Sequence, residues 1–109
     1  MAGTFTIKQN DTLPSIQEQL TLSGSPYDIT GATVKFHLRN NTDLSTKVNA
    51  VATIVTPSTG IVRYDWLATD TASVGDFSRE WEVTMASGKV ITFPNDQVGY
   101  TVTIVDDIA

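Results

Sequence analysis

The sequence predicts an all-β fold, an antiparallel β-sandwich of seven or eight strands, from three observations. Apolar residues recur every second position, the runs are short and bounded by turn residues, and no stretch of about ten residues carries an amphipathic helical stripe. Strands that do not alternate with helices pack face to face as two sheets over one core. The chain of 109 residues fits a single domain spanning 1–109.

The elements follow in order. Thr4–Lys8 forms an amino-terminal strand, and a second runs near Ser15 to Leu22 before the turn "GSPYD". "TVKFHLR" puts Val34, Phe36 and Leu38 on one face and Lys35, His37 and Arg39 on the other. Asn40 to Asn49 is polar and reads as a loop. "PSTG" joins a strand over Ala50–Val55 to one over Ile61–Trp66, where Val62, Tyr64 and Trp66 share a face. "ATDTASVGD" has room for one helical turn, capped by Asp70 or Thr71 and ended by Gly75. "FSREWEVTM" directs Phe77, Trp81, Val83 and Met85 inward, and Arg79, on the same side, is expected to reach out to solvent at an edge. "ASGK" is a hairpin turn with Gly88 at positive φ, and "PNDQVG" leads into the last strand, Tyr100 to Val105. The expected core is Phe5, Ile7, Leu20, Leu22, Val34, Phe36, Leu38, Ile54, Val62, Tyr64, Trp66, Phe77, Trp81, Val83, Phe93, Val102 and Ile104.

Composition excludes several functions. Net charge is −5, and the seven basic residues stand singly, so no basic patch exists for nucleic acid or for anionic membrane. Without cysteine there is neither disulfide nor thiolate chemistry, and "MAGTFTIKQND" lacks the charged and apolar regions of a signal peptide, so folding in a reducing cytoplasm is expected. His37 is the only histidine, too few for a zinc site of nitrogen and sulfur ligands, and no G-x-S-x-G elbow presents a serine. Glu80 and Glu82 lie two apart on a strand, roughly 6.5–7 Å, near a glycosidase spacing, but any polar strand face gives the same distance. Asp65, Asp70, Asp76 and Asp96 could gather oxygen ligands, but no calcium-binding loop motif is present. No phosphate-cradling glycine loop occurs. The expectation is no catalytic residue, no cofactor and no metal: a module that works by contact.

The stretch "DTASVGDFSREWEV" is laid out as the bend and rising strand of an immunoglobulin-like sandwich, without the tyrosine and cysteine of antibody domains. The order "IKQNDTLPSIQEQL", "GSPYDITGATVKFHLR", "TGIVRYDW", "TDTASVGDFSREWEV", "SGKVITFPND" resembles small tailed-phage virion proteins similar to the N-terminal domain of the phage baseplate upper protein. The likeness extends from about Phe5 to Val105, with Phe77 where the pattern has a tyrosine. The resemblance implies an immunoglobulin-like β-sandwich in a non-enzymatic virion structural protein of tail, baseplate, neck or capsid, assembled in the bacterial host cytoplasm. Its implied partners are other virion proteins, in a homo-oligomer or symmetric multi-copy array. Candidate contacts lie on the first strand (Thr4, Thr6, Lys8), the polar loop (Asn40, Asp43) and the "PNDQVG" loop (Asn95, Asp96). The alternative is a carbohydrate-binding or host-adhesion module that stacks sugar on Tyr27, Tyr100, Trp66 or Trp81.

Overall fold

Alternating side chains become strands wherever one face finds a core, and that is what happens along the chain. The computed structural model describes residues 4–94, 100–106 and 108. Its strands are β1 (Thr4–Lys8), β2 (Ile16–Gln19), β3 (Thr21–Leu22), β4 (Ser25–Pro26), β5 (Thr33–Asn40), β6 (Thr46–Val51), β7 (Thr53–Thr56), β8 (Ile61–Tyr64), β9 (Gly75–Thr84), β10 (Val90–Phe93) and β11 (Thr101–Val105). A single 3₁₀ turn, Pro57–Thr59, joins β7 to β8.

The larger sheet has the order β1-β11-β9-β5-β6, with β10 also paired to β9; the smaller is β2-β8-β7; β3 and β4 form a short ribbon. The long strand β9 organises the fold. One edge pairs with β5 from Phe77 to Thr84. The other edge is shared: β11 takes Gly75–Ser78 and β10 takes Trp81–Thr84. At the junction between them, the Arg79 amide donates to the Tyr100 carbonyl at 2.9 Å. All pairings are antiparallel except β1 with β11, which run parallel from Thr4↔Thr101 to Lys8↔Val105. These two strands are remote in sequence, so no hairpin forces them antiparallel.

The all-β sandwich class holds, and most expected core residues are buried: Val34, Phe36 and Leu38 of β5, Phe77, Trp81 and Val83 of β9, and Val102 and Ile104 of β11. Rings tie the sheets together. Phe36 stacks on Tyr64 of the smaller sheet at 4.7 Å and meets Trp81 at 4.7 Å and Trp66 at 5.6 Å. Such ring pairs add roughly 0.5–1.5 kcal/mol each beyond the area they bury.

Several expectations need correction. Phe5, Leu22 and Ile54 are only half-buried, while Ile16, Ile29, Val48 and Ala52 join the core. The segment expected to be a loop through Asn49 is already strand from Thr46, because β5 supplies a complete hydrogen-bonding edge and Val48 alone marks the inward face. The chain then crosses between sheets at Ala52, whose amide donates to the Val34 carbonyl at 2.8 Å. No helical turn forms over 68–76; the bend is built of turns and runs straight into β9 at Gly75. Arg79 does not reach solvent but is buried, for reasons given below. The turn before β8 demands its glycine: Gly60 has φ 72, and a Cβ there would sit 2.5 Å from the Tyr27 carbonyl oxygen.

Candidate interaction surface

The register fixes which parts share an end of the sandwich. Lys8 of β1 lies beside Val105, Ile104 beside Gly75, and Phe77 beside Asn40. The connections β1–β2, β5–β6 and β8–β9 therefore gather at one end, together with the chain after β11. Backbone and side chains lock them. The Asn10 amide donates to the Thr71 carbonyl at 3.0 Å, Thr71 Oγ1 donates to the Asp11 carbonyl at 2.8 Å, and Gln9 Nε2 to the Ala72 carbonyl at 2.8 Å.

The bend in "DTASVGDFSREWEV" is held by a tyrosine after all, but one from a different strand. Tyr64 Oη donates to Asp70 Oδ2 at 2.6 Å, and the same oxygen accepts the Leu67 amide at 2.9 Å. Burial pushes the Tyr64 phenol well above its ordinary pKa, helped by its bond to Asp70 and by the charges of Asp70 and Asp65. A second tie spans the sheets. Glu18 Oε1 on β2 accepts Arg79 Nε at 2.6 Å and Trp81 Nε1 at 2.8 Å, both from β9. The guanidinium also donates to the Thr101 carbonyl and lies 5.0 Å over the Tyr100 ring. Arg79 is thus held within the sandwich by a carboxylate, a carbonyl and a ring.

The sequence-picked contact residues fall into two places. Thr4, Thr6 and Lys8 are exposed on the outer face of β1, an edge strand whose far side has no partner among the described residues. Thr4 Oγ1 lies 2.9 Å from Thr101 Oγ1. Asn40 and Asp43 shape their own loop. Asn40 Oδ1 accepts the Thr42 amide at 2.7 Å, and Asp43 Oδ1 accepts the Ser45 amide at 2.9 Å and hydroxyl at 2.6 Å. The Ser45 hydroxyl and amide hold the Asp43 carboxyl below its usual pKa. Two strands, β11 and β9, separate this loop from β1, a span of roughly 14 Å, so the two groups form no single patch. Asn95 and Asp96 lie outside the described residues. What sequence reasoning missed is the aliphatic side chains at the loop end, Leu13, Leu44, Leu67, Val74 and Ile108, all exposed.

No group of three or more His, Asp or Glu side chains gathers as for a metal among the described residues. Glu80 is exposed and Glu82 half-buried on the outer face of β9, in register with His37 and Lys35 of β5. Trp66 and Trp81 sit in the core, and Tyr27 and Tyr100 are half-buried, so the tryptophans offer no platform to a sugar.

The family model described as the BppU N-terminal domain matches residues 2–103. The chain belongs to this family. BppU is the baseplate upper protein, so the domain is a phage baseplate-associated structural domain and a virion component. Among solved structures, the BppU-type chain is similar in fold to CopC from Methylosinus trichosporium OB3b, with a TM-score of 0.55 at 10% identity over 97% of this chain and 87% of that one. At that identity the likeness concerns fold alone. No curated protein matches the chain.

Proposed function

We propose that this BppU-type domain is a non-enzymatic structural part of the phage baseplate, present in several symmetry-related copies and acting through contacts with other virion proteins. The observation that carries this is the family match across residues 2–103. The fold supports it. The larger sheet ends in β1 on one side and β6 on the other, each paired on one edge only among the described residues, and the connections β1–β2, β5–β6 and β8–β9 gather at one end. Open edges and loop ends are the surfaces through which sandwich domains meet other proteins. The net charge of −5 accords with contact to protein in preference to nucleic acid or anionic membrane. The sugar-binding alternative loses its tryptophans to the core.

Mass spectrometry of purified particles, followed by an electron cryo-microscopy map, tests the proposal. The chain is expected in intact virions as symmetric density at the baseplate. Its absence from virions would overturn the structural role, and density only at the neck or capsid would overturn the location.

A further inference from the structure

Among the described residues, five of the eight exposed large aliphatic side chains stand at the loop end of the sandwich: Leu13, Leu44, Leu67, Val74 and Ile108, exposed by 73%, 63%, 62%, 48% and 93%. They come from three connections (Leu13 from β1–β2, Leu44 from β5–β6, Leu67 and Val74 from β8–β9) and from the residues after β11, so no single amphipathic element accounts for them. The other three, Val51, Val55 and Val90, lie within strands. Single exposed aliphatics are ordinary, but several presented at one end of a sandwich make that end a candidate interaction surface.

Leu44 carries a second signal. Its φ is 63, a left-handed conformation that side chains other than glycine and asparagine seldom adopt. The loop holds this strained leucine outward through the Leu44 amide to Asn40 carbonyl bond at 2.8 Å and the Asn40 amide to Ser45 carbonyl bond at 2.9 Å. Folding gains nothing from an exposed leucine in that backbone. Strain kept at an exposed apolar tip points to a use outside the fold.

Charge selects the partner. Residues 9–15, 41–45, 65–74, 106 and 108 contain no lysine, arginine or histidine; of their aspartates, Asp11, Asp43 and Asp106 are exposed, Asp65 is paired with Arg63 of β8, and Asp70 is buried against Tyr64. The nearby Lys8, Arg39 and Lys47 belong to strands β1, β5 and β6, where they alternate with the buried Ile7, Leu38 and Val48 and so face the outer flank of the larger sheet. A second copy would bring aspartates against aspartates. Size argues the same way. The ten residues of β9 run roughly 33 Å, so the strands follow the 45 Å dimension and the end measures about 25 × 22 Å. That is less than the roughly 800 Å² per partner of a standard stable interface, and suits one contact among several in an assembly.

We propose that this acidic, aliphatic loop end docks on a different virion protein, whose contact surface is apolar at its centre and rimmed by lysine and arginine. The proposal rests on the structural role given above and adds the face and the partner chemistry. The test uses phage carrying the full chain with a photo-reactive phenylalanine analogue at position 44 or 67, or at position 90 as a control. Crosslinks from 44 and 67 are expected to land on a Lys/Arg-bearing surface of another virion protein, with none from 90 to that surface. In parallel, Leu44→Asp/Leu67→Asp is expected to lower incorporation into particles by at least about tenfold, while the free protein melts as the parent does. Leu44→Gly, which removes the side chain and relieves the backbone, is expected to reduce incorporation without loss of stability, and Val90→Asp to incorporate normally. Normal incorporation of the double variant, or crosslinks from 44 and 67 only to another copy of this chain, would overturn the docking proposal. If the unmodified chain is itself missing from particles, the structural role fails instead.

Discussion

Two arginines of this domain each face a carboxylate, and they differ in almost everything else. Arg63 meets Asp65 two residues away at 3.1 Å, with side-chain exposures of 38% and 59%. Arg79 meets Glu18 across the sandwich at 2.6 Å, with exposures of 6% and 15%. The first pair is solvated, local and worth roughly 0–1 kcal/mol. The second lies between two sheets, shares its acceptor oxygen with Trp81, and leaves a buried charge if either partner goes. In a chain without cysteine, a carboxylate on one sheet holds an arginine and an indole of the other. The lesson is that location, not pair chemistry, decides what an ion pair contributes.

The sharpest way to break this contrast is Glu18→Ala. It is expected to cost about 3–5 kcal/mol, read as a lower denaturant midpoint, with Trp81 fluorescence shifting as its hydrogen bond is lost. A cost below about 1 kcal/mol would put this pair in the same class as the exposed one. Next comes the bend. Asp70→Ala strips the acceptor from both Tyr64 and the Leu67 amide, for an expected loss of about 1–3 kcal/mol by chemical denaturation. Tyr64→Phe removes only the hydroxyl, at about 1 kcal/mol, and carries a pH signature. The folded state holds the Tyr64 phenol neutral above its ordinary pKa of about 10. Its contribution is therefore complete below pH 10 and declines as pH rises past it, because the unfolded chain releases the proton first. Denaturation at pH 9 and pH 11 should show the parent losing more stability between the two than Tyr64→Phe does; equal slopes would refute the assignment.

The smallest effect closes the comparison. Asp65→Ala is expected to change stability by no more than about 1 kcal/mol at neutral pH. The Ser15 hydroxyl foremost, then Arg63, hold the Asp65 carboxyl below its usual pKa. What it contributes is present above about pH 4 and fades as acid protonates it. Acid titrations of parent and variant should therefore converge at low pH, and a variant that stays less stable there would show that Asp65 acts through packing.

The bend stretch shows how far the sequence could be read. Phe77, Trp81 and Val83 were legible as inward residues because alternation on a strand needs only neighbours in the chain. Asp70 was legible as a turn residue. That its partner is Tyr64 was not, since nothing in spacing says which buried hydroxyl a carboxylate meets. Sequence alone sends Arg79 outward, because a charged side chain on an apolar face has a cheap exit at an edge, and its neutraliser, Glu18, lies 61 residues away. Of the candidate contacts, Thr4, Thr6 and Lys8 are exposed on an edge strand, whereas Asn40 and Asp43 each accept hydrogen bonds from their own loop.

By itself the sequence determined the all-β class, the face of each long strand, the turns at Gly60 and Gly88 and the order of motifs that places the chain in its family. These are local properties, set by side-chain alternation, φ preference and residue order. Only the tertiary structure decided that β1 runs parallel to β11, that β10 and β11 divide one edge of β9, that Glu18 neutralises Arg79, and that loops carrying exposed aliphatics lie at the same end of the sandwich. Each of these joins residues far apart in the chain, and their meeting depends on how two sheets close over a shared core.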